Sequence, residues 1–167
     1  MGTEIDAQSF SSEDFEEFNN RLRQETDILS SWCKAGFAGI STPKCGFELE
    51  AWLVTPNAQP APRNDEFLDQ LDSPLVVPEL ARFNFEINST PHPFGSNLLS
   101  RLYHELKETW AQCEQAAATI GAIPLMTGIL PTLKDSELCM SNVSSMKRYT
   151  ALNPVSYTHL RAHETKP

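Results

Sequence analysis

The run Cys45-Gly46-Phe47-Glu48-Leu49-Glu50-Ala51-Trp52-Leu53-Val54 limits the possible folds more than any other stretch. Its apolar and polar residues alternate, and side chains alternate across a strand, so the run predicts a β-strand. Phe47, Leu49, Ala51 and Leu53 fall on one face. Glu48 and Glu50 fall on the other, with Trp52 beside them. At about 3.3 Å rise per residue, two carboxylates at i and i+2 stand roughly 7 Å apart. Glu is depleted in strands, so this pair calls for a reason. Either the face is open to water or the two acids share a cation.

A second strand is predicted at Arg82-Phe83-Asn84-Phe85-Glu86-Ile87-Asn88. Phe83, Phe85 and Ile87 share one face, and Asn84, Glu86 and Asn88 share the other. Glu79 precedes it by a short extended step. If both strands lie in one sheet, Glu48, Glu50 and Glu86 converge, with Glu79 at the rim. Between them, residues 55–78 hold five of the twelve prolines and read as a long connection with one helical turn near Phe67–Leu71. Such a connection is often functional or peripheral.

Helical spacing marks two further segments. Over 12–34, Ser11 or Ser12 serves as N-cap, acids fill the first turn, and Phe15, Phe18, Leu22, Leu29 and Trp32 form a packing stripe. Over 95–119, Leu98, Leu99, Leu102, Leu106, Trp110, Cys113 and Ala117 form the buried face, Glu105 and Glu108 the wet one, and Gly121 the stop. Ile123–Leu130 reads as a buried strand, 134–139 as a short helix, and Asn142 as the cap of another over about 143–151. The fold class expected is α+β, an antiparallel sheet with packing helices.

A formal net charge of −9 argues against nucleic-acid and anionic-membrane partners, which need clustered Lys and Arg. It is compatible with a cation-holding acidic site. The N-terminus lacks the basic and apolar regions of a secretory leader, and no run reaches membrane-span length. Cys33, Cys45, Cys113 and Cys139 are widely spaced, with no CxxC pair. That points to reduced thiols and a cytoplasmic location.

Glu48, Glu50, Glu79 and Glu86 form an all-oxygen set, which suits hard cations such as Mg²⁺ or Mn²⁺. Several carboxylates on a sheet floor can hold ions that bridge nucleotide phosphates. The bland alternative is an antiparallel sheet with Glu facing water. No P-loop and no dinucleotide-binding glycine motif occurs, so ATP, if bound, sits on neither. Arg148 is the best candidate for an anion contact, because its fork suits carboxylate and phosphate. His92, between two prolines, reads as a loop residue, and His104 as structural.

Four motifs, Gly46-Phe47-Glu48-Leu49-Glu50, Glu79 through Asn88, Gly128-Ile129-Leu130-Pro131-Thr132-Leu133 and Arg148-Tyr149-Thr150-Ala151-Leu152-Asn153, occur in an order that resembles bacterial glutamate–cysteine ligases and their carboxylate–amine ligase relatives. The resemblance covers roughly residues 40–154. It implies a glutamine-synthetase-like fold, with Glu48, Glu50, Glu79 and Glu86 as metal ligands and Arg148 touching substrate or phosphate. It also implies Mg²⁺ or Mn²⁺, with ATP, glutamate and cysteine as small-molecule partners. The γ-carboxylate of glutamate would be phosphorylated, and the amine of cysteine would attack the acyl phosphate.

Family members are longer, so residues 1–154 are expected to be the N-terminal part of a ligase domain, inactive alone. Residues 155–167 resemble a translated adapter sequence and are expected to be a non-native tail. The alternatives are a non-catalytic α/β binding or interaction domain, and a related ligase using another amine.

Overall fold

Period-two burial runs through the centre of the chain and builds its main sheet. The computed structural model describes residues 4–7, 9–36 and 42–152. The tail 155–167, with its His159 and His163, lies outside them, as does Asn153. The chain divides into two compact units, Thr42–Ser144 and the residues flanking that span on either side. The fold is α+β, with antiparallel sheets.

Within Thr42–Ser144 the elements run β1 (Lys44–Cys45), β2 (Glu48–Val54), α2 (Asn64–Leu68), β3 (Val76–Pro78), β4 (Asn84–Asn88), β5 (His92–Pro93), α3 (Leu98–Thr119) and β6 (Ile123–Leu125); α1 (Ser12–Lys34) belongs to the other unit. The main sheet has the order β3-β4-β2-β6, and β1 pairs with β5 in a separate two-residue ribbon. β2 and β4 meet with Ala51 opposite Phe85 and Leu49 opposite Ile87. Directly opposed residues of an antiparallel pair project to the same side. Ala51, Leu53, Phe85, Ile87 and Val76 therefore form one apolar face. It packs with Phe67 of α2 and with Cys113, Ala116 and Ala117 of α3. Burial pushes the Cys113 thiol up to about 12.

α3 stops where Gly121 takes φ +70°, a left-handed conformation that costs glycine little. Another glycine is fixed by space. A Cβ on Gly46 would stand 3.0 Å from Ser89 Oγ, which is already accepting the Phe47 N–H at 2.7 Å.

A buried polar knot holds the edge of this unit. Asn64, fully buried, donates through Nδ2 to the carbonyls of Ala81 and Asn84 and to Ser144 Oγ. Ser144 Oγ donates to the Glu79 carbonyl, and Arg82 N–H donates to Asn142 O at 2.8 Å. Residues 142–144 thus lie along 79–82, and Ala81 bridges Val143.

Several expectations are corrected. The connection 55–78 contains β3, whose Pro78 is tolerated because the strand is at an edge. The run 123–130 pairs only over Ile123–Leu125, and Ile129 is 84% exposed. Leu99 is 79% exposed rather than on the buried face of α3, where Thr109 and Ala116 are buried instead. Phe83 leaves the apolar face, because a turn (Asn84 N–H to Ala81 O, 2.8 Å) precedes β4, and it stacks on Trp52 at 5.4 Å. Near 134–139 only a 3-10 turn, Asp135–Glu137, forms. Asn142 caps no following helix: its Nδ2 donates backwards to Glu137 O, and helix begins at 147.

In the other unit, Ser11 and Asp14 form a reciprocal capping box at the start of α1. No residue of α1 is buried, so its apolar stripe is not the packing face the spacing suggests. Residues 147–152 are helical, and Glu4 Oε1 accepts the Lys147 N–H at 2.7 Å.

Replacing Phe85 by Ala is expected to cost about 3–5 kcal/mol in urea unfolding, whereas Leu99→Ala should stay within about 0.5 kcal/mol. The backbone N–H of Ser11 holds the Asp14 carboxyl below its ordinary value. A lowered folded-state value adds stability above the ordinary range and loses it as pH falls through that value. Helix content by circular dichroism should therefore drop on acidification in wild type, with a smaller acid limb in Asp14→Asn.

Candidate functional site

The face of the sheet opposite the core carries the predicted acids. The register sets Glu50 opposite Glu86, Glu48 opposite Asn88, and Trp52 opposite Asn84. All six project to one side. Glu86 sits in a strand paired on both edges, by β2 and by Val77 of β3. It is only 8% exposed, so the expectation that this face is simply wet fails at Glu86 and at Asn88. Asn88 Nδ2 donates to Glu86 Oε1 at 2.7 Å. Glu48 and Glu50 lie at the exposed end of the strand.

Next to this face is a cavity of about 480 Å³, lined by Glu50, Trp52, Glu79, Asn84, Thr127 and Gly128, among others. Trp52 forms part of its wall and is held on both sides. Phe83 stacks on the indole, and Nε1 donates to Gly128 O at 3.0 Å. Asn84 Nδ2 donates to Ala51 O at 3.3 Å, which leaves its Oδ1 as an oxygen donor on the acidic face.

The structure brings Glu50 and Glu86 together across one ladder position, and Glu50 and Glu79 together on one cavity. It does not gather all four acids. Among the described residues no group of three His, Cys, Asp or Glu side chains stands close enough to hold a metal ion. Glu79 turns one oxygen to its neighbour, with Oε2 accepting the Leu80 N–H at 2.8 Å. Arg148 belongs to the other unit. There its Nη2 donates to the Tyr149 hydroxyl at 2.9 Å, and its N–H reaches Glu4 Oε1 at 3.4 Å. Thr127 is a wall residue that the sequence did not single out; only its place before Gly128 hinted at it.

Opposed carboxylates on neighbouring strands repel one another. The surrounding donors are oxygens: Glu50, Glu86, Glu48 and the amides of Asn84 and Asn88. A hard cation needs no third carboxylate here, because Mg²⁺ characteristically takes one or two carboxylates and completes its shell with water and phosphate oxygens. The donor type on this face, carboxylate and amide oxygen, is the type such an ion takes.

No family model matches the chain, and no curated protein or solved structure matches it.

With divalent cations chelated, Glu50→Gln should raise the unfolding free energy in urea by about 0.2–1 kcal/mol for the relieved repulsion, and the midpoint with it. The gain should shrink as salt screens it. A lower midpoint than wild type at low salt would show that the pair does not repel.

Proposed function

We propose that the acidic sheet face is the divalent-cation floor of an ATP-dependent carboxylate–amine ligase that joins the γ-carboxylate of glutamate to the amine of cysteine. The observation that carries this reading is the opposition of Glu50 and Glu86 on a face that also carries Glu48, Asn84 and Asn88, with Glu79 on the adjoining cavity. The ordered motifs at residues 46–50, 79–88, 128–133 and 148–153 support the choice of ligase. The sheet would then be the first part of a glutamine-synthetase-like floor.

Glu50 and Glu86 are the residues that would hold the cation, from neighbouring strands. When bound, Mg²⁺ or Mn²⁺ supplies charge neutralisation for phosphoryl transfer from ATP. Trp52, backed by the buried Phe83, lines the cavity with Leu80 and Ala81, and an apolar lining of that kind would keep water from an acyl phosphate. Arg148 is assigned to substrate or phosphate on the motif alone. A cytoplasmic setting goes with these substrates. No helix among the described residues is long and apolar enough to cross a membrane.

A second reading, a non-catalytic binding or interaction domain, draws on the tethering of Glu79 to the Leu80 N–H and on the exposure of Glu48 and Glu50. Mn²⁺ titration followed by electron paramagnetic resonance separates the two. The ligase reading expects Mn²⁺ to bind this chain, with Glu50→Gln and Glu86→Gln each weakening it by about 10–100-fold and Glu108→Gln, on α3, leaving it unchanged. In a complete ligase containing this chain, Glu86→Gln should abolish ATP-dependent product formation and preserve the fold. No Mn²⁺ binding, or equal binding by all variants, favours the interaction domain. The 167-residue chain alone is expected to be inactive; phosphate release from it that depends on ATP, glutamate and cysteine would overturn that.

A further inference from the structure

A second cluster of reactive side chains lies on the small ribbon. Cys45 of β1 and His92 of β5 are direct partners in the antiparallel register. Their side chains therefore leave the ribbon on the same side, with Cβ atoms about 5 Å apart. Pro91 and Pro93 flank His92 and restrict the backbone there to extended conformations. The His92 side chain is only 14% exposed, and its Nε2 stands 3.7 Å from Glu105 Oε2 of α3. Thr90 fixes that carboxylate through its N–H, at 3.0 Å, and its hydroxyl. The order thiol, imidazole, anchored carboxylate is the arrangement by which a base relieves a thiol of its proton and a third group stabilises the resulting imidazolium.

Three features narrow what the cluster can do. The three side chains do not stand close enough to hold a metal ion. Cys45 is partly exposed, and its thiol donates to the Gly46 carbonyl at 3.6 Å, a long contact to a single acceptor. The other thiols lack this setting: Cys113 is buried, and Cys33 and Cys139 are exposed on other elements.

We propose that Cys45 is a thiol–disulfide exchange site, with His92 as its base and Glu105 as the residue that positions His92, and that it accepts small uncharged disulfides. This inference does not depend on the ligase reading. The thiol proton passes to His92. The Cys45 thiolate attacks one sulfur of the disulfide, the S–S bond of the reagent breaks, and a new S–S bond forms to Cys45. The departing thiolate takes the proton back from His92 and leaves as a free thiol. Cys45 is oxidised to a mixed disulfide, and half of the reagent is reduced. An uncharged partner is favoured because the protein is acidic and Glu105 is close by.

The test treats the intact 167-residue chain with bis(2-hydroxyethyl) disulfide at neutral pH and reads modification at each cysteine by peptide mass spectrometry. Cys45 should react about tenfold faster than Cys33 and Cys139 despite its lower exposure, because a base stands beside it to take the thiol proton. His92→Gln and Glu105→Gln should each bring Cys45 down to the rate of those two. Buried Cys113 reports folding, since it becomes reactive only if a variant opens. If His92→Gln opens the fold, the wild-type ranking and Glu105→Gln decide. Cys45 reacting no faster than Cys33 and Cys139 in wild type, or keeping its lead in a folded His92→Gln or Glu105→Gln variant, overturns the proposal.

Discussion

The register between β2 and β4 is the constraint on which the sheet unit depends. Ala51 opposite Phe85 puts the apolar residues of both strands toward α2 and α3. The same register puts Glu50 opposite Glu86. A slip of one residue would exchange the faces, sending carboxylates into the core and phenylalanine out. Core burial therefore fixes the position of the acids. Conversely, a change that tolerates slippage in the core would dissolve the site before it unfolded the sheet. Both strands are paired on each side, so neither can shift alone.

How much of this was legible in the sequence depends on the range of the interactions involved. β2 and β4 could be read because alternation over several residues has one physical cause, a sheet with an apolar side. The N-cap serine of α1 and the glycine that ends α3 could be read because they are local chemistry. β3 could not: three residues, one of them proline, become a strand only because β4 offers hydrogen-bond partners. Ile123–Leu130 was overextended because apolar composition does not say how far a neighbour runs alongside. Leu99 carries a good helical spacing, yet it sits in the first turn, pointing away from the core.

The candidate site shows the same limit. Alternation placed Glu48, Glu50 and Glu86 on one side, but it could not reveal that β3 and β2 flank Glu86 and bury it. Nor could it show that Glu79 would spend an oxygen on the Leu80 N–H. The pairing of Cys45 with His92 was invisible for a related reason. Cys45 reads as the start of the same strand as Glu48, but the strand breaks at 46–47 and Cys45 joins a separate ribbon, while His92 lies in a run too short to declare itself a strand.

Asn64 couples the unit to the order in which the chain is made. Its amide needs Ala81, Asn84 and Ser144, and the last emerges 80 residues after Asn64. Until then a polar group on the second helix faces an apolar interior without one of its acceptors, a state that costs free energy. The entropy of closing so long a loop grows only slowly with its length, so distance is a weak barrier once Ser144 exists. During synthesis the sheet can pair early, but its edge has to wait.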